Sequence, residues 1–161
     1  MPQLDPYETL FVATAFAFQL LLIVYYLLRR RSWRMVMRYG PLIYATALPL
    51  AVVSLVLFLA GKPWWLWLGG LLALAWAGYG YFVDFVKQIP WREPIYPPVF
   101  FPYITLYLAM LMFYWWPLAR FSRGLWLAFG ALFVIASLLN VTSHGPRAGS
   151  DAGQKEGMAT Q

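Results

Sequence analysis

Apolar residues occur in five long blocks separated by charged or proline-containing segments. The blocks cover residues 10–28, 41–60, 64–85, 99–118 and 124–141, and Asp84 is the only charged residue inside any of them. About 20 apolar residues in a helix cross the hydrocarbon core of a bilayer. The pattern therefore predicts an all-α integral membrane protein, a bundle of five transmembrane helices.

Four spans are an alternative, with the last two blocks joined into one. That arrangement would bury Arg120 and Arg123 in the bilayer, and a charge at mid-membrane costs about 3 kcal/mol or more. Five spans avoid this cost and are the prediction.

The basic residues are distributed unevenly between the two sides of the five-span arrangement. The first and third loops and the C-terminal segment hold nine lysines and arginines, and the opposite side holds three. Cytoplasmic loops are enriched in basic residues, which predicts that the N-terminus is outside and the C-terminus is cytoplasmic. The polar segment 144–161 lacks an apolar pattern and is predicted to be a disordered cytoplasmic tail.

The composition excludes several classes of protein. Hydrophobic residues make up 62% of the chain and charged residues 11%, whereas soluble domains carry about 25% charged residues. An ordinary soluble enzyme, a disordered chain and a nucleic-acid-binding domain are therefore excluded, and the net charge of +6 is assigned to the membrane surface. With no cysteine and one histidine, the chain is expected to hold no metal and no cofactor.

Small residues recur at four-residue spacing in the third block, as Gly69, Ala73 and Ala77. Such faces let membrane helices approach closely, so this face is predicted to pack within the bundle or to mediate self-association. In the second block, Pro49 is predicted to kink the helix, since proline removes a backbone donor.

Three tyrosines of the fourth block, Tyr103, Tyr107 and Tyr114, share one helix face by their spacing. They are predicted to face inward, either as interhelical packing or as a site for the head group of a lipid, quinone or pigment. Trp91 belongs to the adjoining proline-rich segment 88–103, which is predicted to be extended and stiff and to contribute to the same site. Pro102 is expected in the first turn of the fourth helix.

Asp84 is placed at the cytoplasmic edge of the third span, one turn before Lys87. Arg92 follows in the same loop. We expect these three residues to form an interfacial ion pair; a proton-relay or substrate-binding role for the carboxylate is the alternative.

The sequence contains no recognisable catalytic constellation, such as a nucleophile with its base or paired carboxylates. A non-catalytic accessory or scaffold subunit of a membrane complex is therefore the expected function. A small carrier, binder or transporter of an apolar or amphipathic molecule is the alternative. The expected partners are the lipid bilayer and other membrane subunits, and the expected location is the cytoplasmic membrane of a bacterium.

Overall fold

A computed structural model describes residues 4–31, 39, 41–89 and 95–142. The α-helices in the described part of the chain are α1 Pro6–Arg31, α2 Ala47–Leu59, α3 Trp64–Tyr81, α4 Pro97–Trp115, α5 Leu118–Phe121 and α6 Arg123–Thr142, together with the helical residues 41–45 that precede α2. Five helical stretches are long and apolar enough to cross a membrane: Pro6–Arg31, Pro41–Leu59, Trp64–Val86, Pro97–Phe121 and Arg123–Thr142. The predicted all-α fold with five spanning helices is confirmed. The predicted tail, residues 144–161, lies outside the described residues.

The five spans alternate in direction, which gives the bundle two ends. We call the end that holds Asp5 and Lys62 the amino end, and the end that holds Arg31 and Pro41 the arginine end. Helix α3 packs between α2 and α4, and α1 packs mainly against α6. Contact between α1 and α2 is much less extensive.

At the amino end, two acidic side chains begin α1. The Asp5 N–H donates to the Glu8 carboxylate (3.0 Å), and the Glu8 N–H donates to Asp5 Oδ1 (2.9 Å). This reciprocal pair satisfies two backbone donors that a helix start leaves unpaired. Asp5 Oδ2 also accepts a hydrogen bond from Lys62 Nζ, which lowers the pKa of Asp5 and raises the pKa of Lys62. The ion pair ties the start of α1 to the turn between α2 and α3.

The second span is interrupted at Thr46, one turn before Pro49. The Thr46 N–H is shared between the carbonyls of Leu42 and Ile43 (both 3.2 Å), and its hydroxyl donates to Ile43 O (2.5 Å). Pro49 then lies in the first turn of α2, where its missing N–H is tolerated. The structure shows this interruption in the hydrogen-bonding pattern, and the kink at Pro49 stays a prediction.

The third span ends in a π-helical turn, Phe82–Val86, rather than in α-helix. Gln88 has a left-handed backbone (φ 50°), and the next residue's N–H, that of Ile89, bonds back to Val83 O (3.1 Å). A left-handed residue is a common way to stop a helix. The span therefore stops at the arginine end, close to the predicted boundary.

The fourth span begins earlier than predicted. Pro97 and Pro98 occupy its first two positions, where proline's fixed φ suits a helix start. Pro102 consequently lies inside the helix, so its predicted position in the first turn is wrong. The predicted extended segment is also helical from Pro97 onward.

Small residues on α3 bring its neighbours close. Gly69, Ala73 and Ala77 are all buried within the chain, and a Cβ on Gly69 would touch Phe113 and Tyr114 of α4 at 3.4 Å. The face therefore packs inside the bundle, and self-association through it stays a prediction.

Candidate functional site

Polar and aromatic side chains from four spans gather toward the arginine end of the bundle. We call them the tyrosine cluster, which consists of Tyr26, Tyr44, Trp76, Asp84, Tyr103 and Tyr107. Two hydrogen bonds and a set of ring contacts hold these residues together. The cluster brings a carboxylate and several hydroxyl groups together inside the bundle.

The carboxylate of Asp84 is bound by a tyrosine of the second span. The Tyr44 hydroxyl donates to Asp84 Oδ2 at 2.6 Å, which is short for such a bond, as expected when the acceptor is ionised. Tyr44 fits here because α3 has a glycine beside it. A Cβ on Gly80 would lie 2.5 Å from the Tyr44 ring.

A second hydrogen bond links α1 to α4. The hydroxyls of Tyr26 and Tyr107 are 3.1 Å apart. Tyr26 is buried, with 6% of its surface exposed. A buried tyrosine needs a partner for its hydroxyl, and each of these residues supplies the other's.

Trp76 joins these two contacts. It is buried in α3, and its ring lies 5.6 Å from Tyr44, 5.8 Å from Tyr103 and 5.7 Å from Tyr107, between centroids. These are normal separations for tilted aromatic pairs, which add to packing energy. The Trp76 indole N–H has no hydrogen-bond partner among the described residues.

The predicted tyrosine face divides into two parts. Tyr103 and Tyr107 belong to the tyrosine cluster, whereas Tyr114 lies nearer the amino end. There its buried ring packs against Phe11 and Phe18 of α1, with centroids 5.8 and 6.2 Å apart. All three tyrosines thus contact other spans. Trp91, assigned to the same site from the sequence, lies outside the described residues.

The predicted ion pair is only partly described by the structure. Asp84 lies in the tyrosine cluster with Tyr44 as a partner, and the Lys87 ammonium lies over the Phe82 ring, 5.8 Å from its centroid. Arg92 lies outside the described residues. The pairing of Asp84 with Lys87 and Arg92 therefore stays a prediction.

Several residues that line or support the buried interior were not predicted from the sequence to do so. Tyr26 and Tyr44 come from the first two spans, and their contribution depends on how helices align. Trp76 and Gly80 had a usable signal, since together with Asp84 they recur at four-residue spacing along the third span. Gln19 also had a usable sequence signal, because it is an amide in an otherwise apolar block. It is fully buried in α1, and neither amide atom has a hydrogen-bond partner among the described residues.

The arrangement joins helices by pairing polar groups across them. Tyr26 binds Tyr107, and Tyr44 binds Asp84, so α1 is linked to α4 and the second span to the third. Within the described ranges, no group of three His, Cys, Asp or Glu side chains is placed to hold a metal ion. Comparisons with protein-family models, with curated proteins and with solved structures give no significant match for this chain.

Proposed function

We propose that this protein is a non-catalytic subunit or scaffold that packs against another membrane-embedded protein. The observation that carries the proposal is the poor coverage of α6. Only 11% of the residues in its most apolar 18-residue stretch are buried inside the protein, the smallest share among the five spans. A span that its own bundle covers so little leaves most of its surface to lipid or to a partner.

The inner face of α6 is well packed. Phe129 is fully buried and meets Phe16 of α1 edge to face, with centroids 5.7 Å apart. On α4, the Trp115 indole N–H donates to Trp126 O (3.0 Å). These contacts fix which side of α6 faces outward.

The outward face of α6 combines small and apolar side chains. Its exposed residues are Gly124, Leu127, Ala128, Ala131, Val134, Ile135 and Leu138. Their spacing of three and four places them on one side of the helix. In lipid, helices associate through small residues that let backbones approach, and this face supplies three of them in its first three turns.

The interior supports a scaffold better than a carrier. Tyr107, part of the site predicted for a head group, bonds to Tyr26, and Asp84 bonds to Tyr44. A ligand would have to displace these contacts to reach those groups. The same pairing gives the cluster a structural role and supports a protein without enzymatic activity.

Enlarging a small residue on the outward face should weaken association with the partner. We expect Ala128→Leu to reduce the protein that co-purifies from native membranes about tenfold, since a larger side chain prevents close helix contact. The measurement is quantitative mass spectrometry after mild detergent extraction, with a photo-crosslinker at position 128 to identify the protein in contact.

The matched control is Ala75→Leu, which makes the same change at an exposed alanine of α3. It should leave the co-purifying protein unchanged. Equal recovery from the two variants, with position 128 crosslinking to lipid alone, would contradict the proposal.

We further propose that the bundle lies in the cytoplasmic membrane of a bacterium, with its C-terminus inside. The nine-to-three distribution of basic residues supports this orientation. A periplasmic phosphatase fused after Lys62 or Arg120 should be active, and one fused after Arg31 should be inactive. A fluorescent reporter on Gln161 should be visible in the cytoplasm. Activity of the Arg31 fusion would reverse the orientation.

A further inference from the structure

An apolar groove of about 290 Å³ lies between α1 and the start of the second span. Its α1 wall is formed by Phe18, Leu21, Leu22, Val24, Tyr25 and Leu28, and its other wall by Tyr39, Leu42, Ile43 and Thr46. Beyond Thr46 the second span continues as α2, which contacts α1 much less than α6 does. The hydroxyl of Thr46 is bonded to its own helix, so this wall presents little polarity.

The groove has the length of one leaflet. Its α1 wall runs from Phe18 to Leu28, which is about 15 Å at 1.5 Å per residue. The hydrocarbon core is about 30 Å thick, so half of it matches the groove. The groove opens to the outside of the bundle, since Leu21 and Leu42 are 51% and 61% exposed.

Positive charge lies at the arginine end of this groove. Arg31 follows Leu28 by three residues and Val24 by seven, and Arg29 follows Tyr25 by four. Residues at these spacings share a helix face. Arg29 and Arg31 therefore extend the α1 wall of the groove toward the arginine end, one along each edge of that wall. Arg30 is on the opposite side of the same turn.

We propose that this groove binds one anionic phospholipid, with an acyl chain between α1 and the second span and its phosphate at Arg29 and Arg31. Guanidinium groups form strong paired hydrogen bonds with phosphate. The groove is apolar, one leaflet long and cationic at one end. This combination fits a lipid better than a helix or a soluble anion. The inference is independent of the proposed partner on α6, because it is tested on the purified chain alone.

The role of the Arg29 and Arg31 charges is tested with purified protein in detergent. Phosphatidylglycerol or phosphatidylcholine with identical acyl chains is added. Native mass spectrometry counts the lipids that each chain retains. Wild type should retain one phosphatidylglycerol. Arg29→Gln/Arg31→Gln should bind it about thirtyfold more weakly, at roughly fivefold for each arginine near the head group.

The single substitution Arg31→Gln should weaken binding about fivefold, and its matched control is Arg30→Gln, which removes the same charge from the same turn and should change retention little. Equal retention of the two lipids by wild type would overturn the proposal. So would an effect of Arg30→Gln as large as that of Arg31→Gln, since the charge would then act only through the general surface potential.

The groove itself is tested by filling it. Leu21 lines the groove and Leu20 does not, although they are 51% and 50% exposed. Leu21→Trp should therefore reduce retention of phosphatidylglycerol several-fold, while Leu20→Trp should not. Because both side chains are half exposed, neither variant needs the core to repack, and a thermal melt of each verifies this. Unchanged retention in Leu21→Trp would overturn the assignment of the acyl chain to the groove.

Discussion

The Gly70→Ala variant should lower the free energy of unfolding by about 1–3 kcal/mol, the range for overpacking a close contact. A Cβ at this position would lie 2.0 Å from Ser54 Oγ and 2.5 Å from the carbonyl oxygen of Leu50, both on α2. The serine can rotate, but the carbonyl belongs to the backbone and can retreat only if α2 and α3 separate. Equilibrium unfolding by denaturing detergent in mixed micelles measures the change.

Gly78 on the same helix provides the control. A Cβ there would meet nothing within 4 Å, and alanine is favoured over glycine in a helix by about 1 kcal/mol. Gly78→Ala should therefore leave stability unchanged or raise it. Adding Ser54→Ala to Gly70→Ala should recover only part of the loss, because the Leu50 carbonyl remains. Equal stability of the Gly70→Ala and Gly78→Ala variants would show that close helix contact is not needed here.

The sequence identified the spans because the bilayer sets their length and charge marks their ends. It could not identify which sides of the helices face inward. In water, apolar periodicity marks the buried face, but lipid is as apolar as leucine and removes that contrast. Residues 19 and 20 illustrate this: Gln19 is fully buried, while Leu20 is 50% exposed.

The candidate site was predictable only within one helix. The spacing of Tyr103 and Tyr107 put them on one face of their own helix, and Tyr114 lies seven residues beyond Tyr107, or about 10 Å along the axis. It therefore reaches Phe11 and Phe18 instead of the tyrosine cluster. Tyr44 joins the cluster because Gly80 leaves room for its ring, and such a fit between helices has no trace in either span alone.

The Trp76→Ala variant is expected to be destabilised by about 2–3 kcal/mol. Truncating a buried tryptophan in a soluble protein costs about 3–5 kcal/mol, but part of that is transfer from water, which lipid removes. What remains is the lost packing against Tyr44, Tyr103 and Tyr107. The same detergent titration measures it, and Trp76→Phe should recover part of the loss because a ring is kept.

Trp64→Ala is the control for this truncation. Trp64 begins α3 at the amino end, is 55% exposed and has one ring contact, with Phe113 at 5.8 Å between centroids. Its loss should cost about 1 kcal/mol or less, near the value of a single aromatic pair. If the two truncations cost the same, Trp76 does not hold the tyrosine cluster together. A larger cost at Trp76 alone means that the packing of the second span and of α4 depends on one side chain of α3. This is expected when polar contacts such as Tyr44–Asp84 need a packed ring beside them.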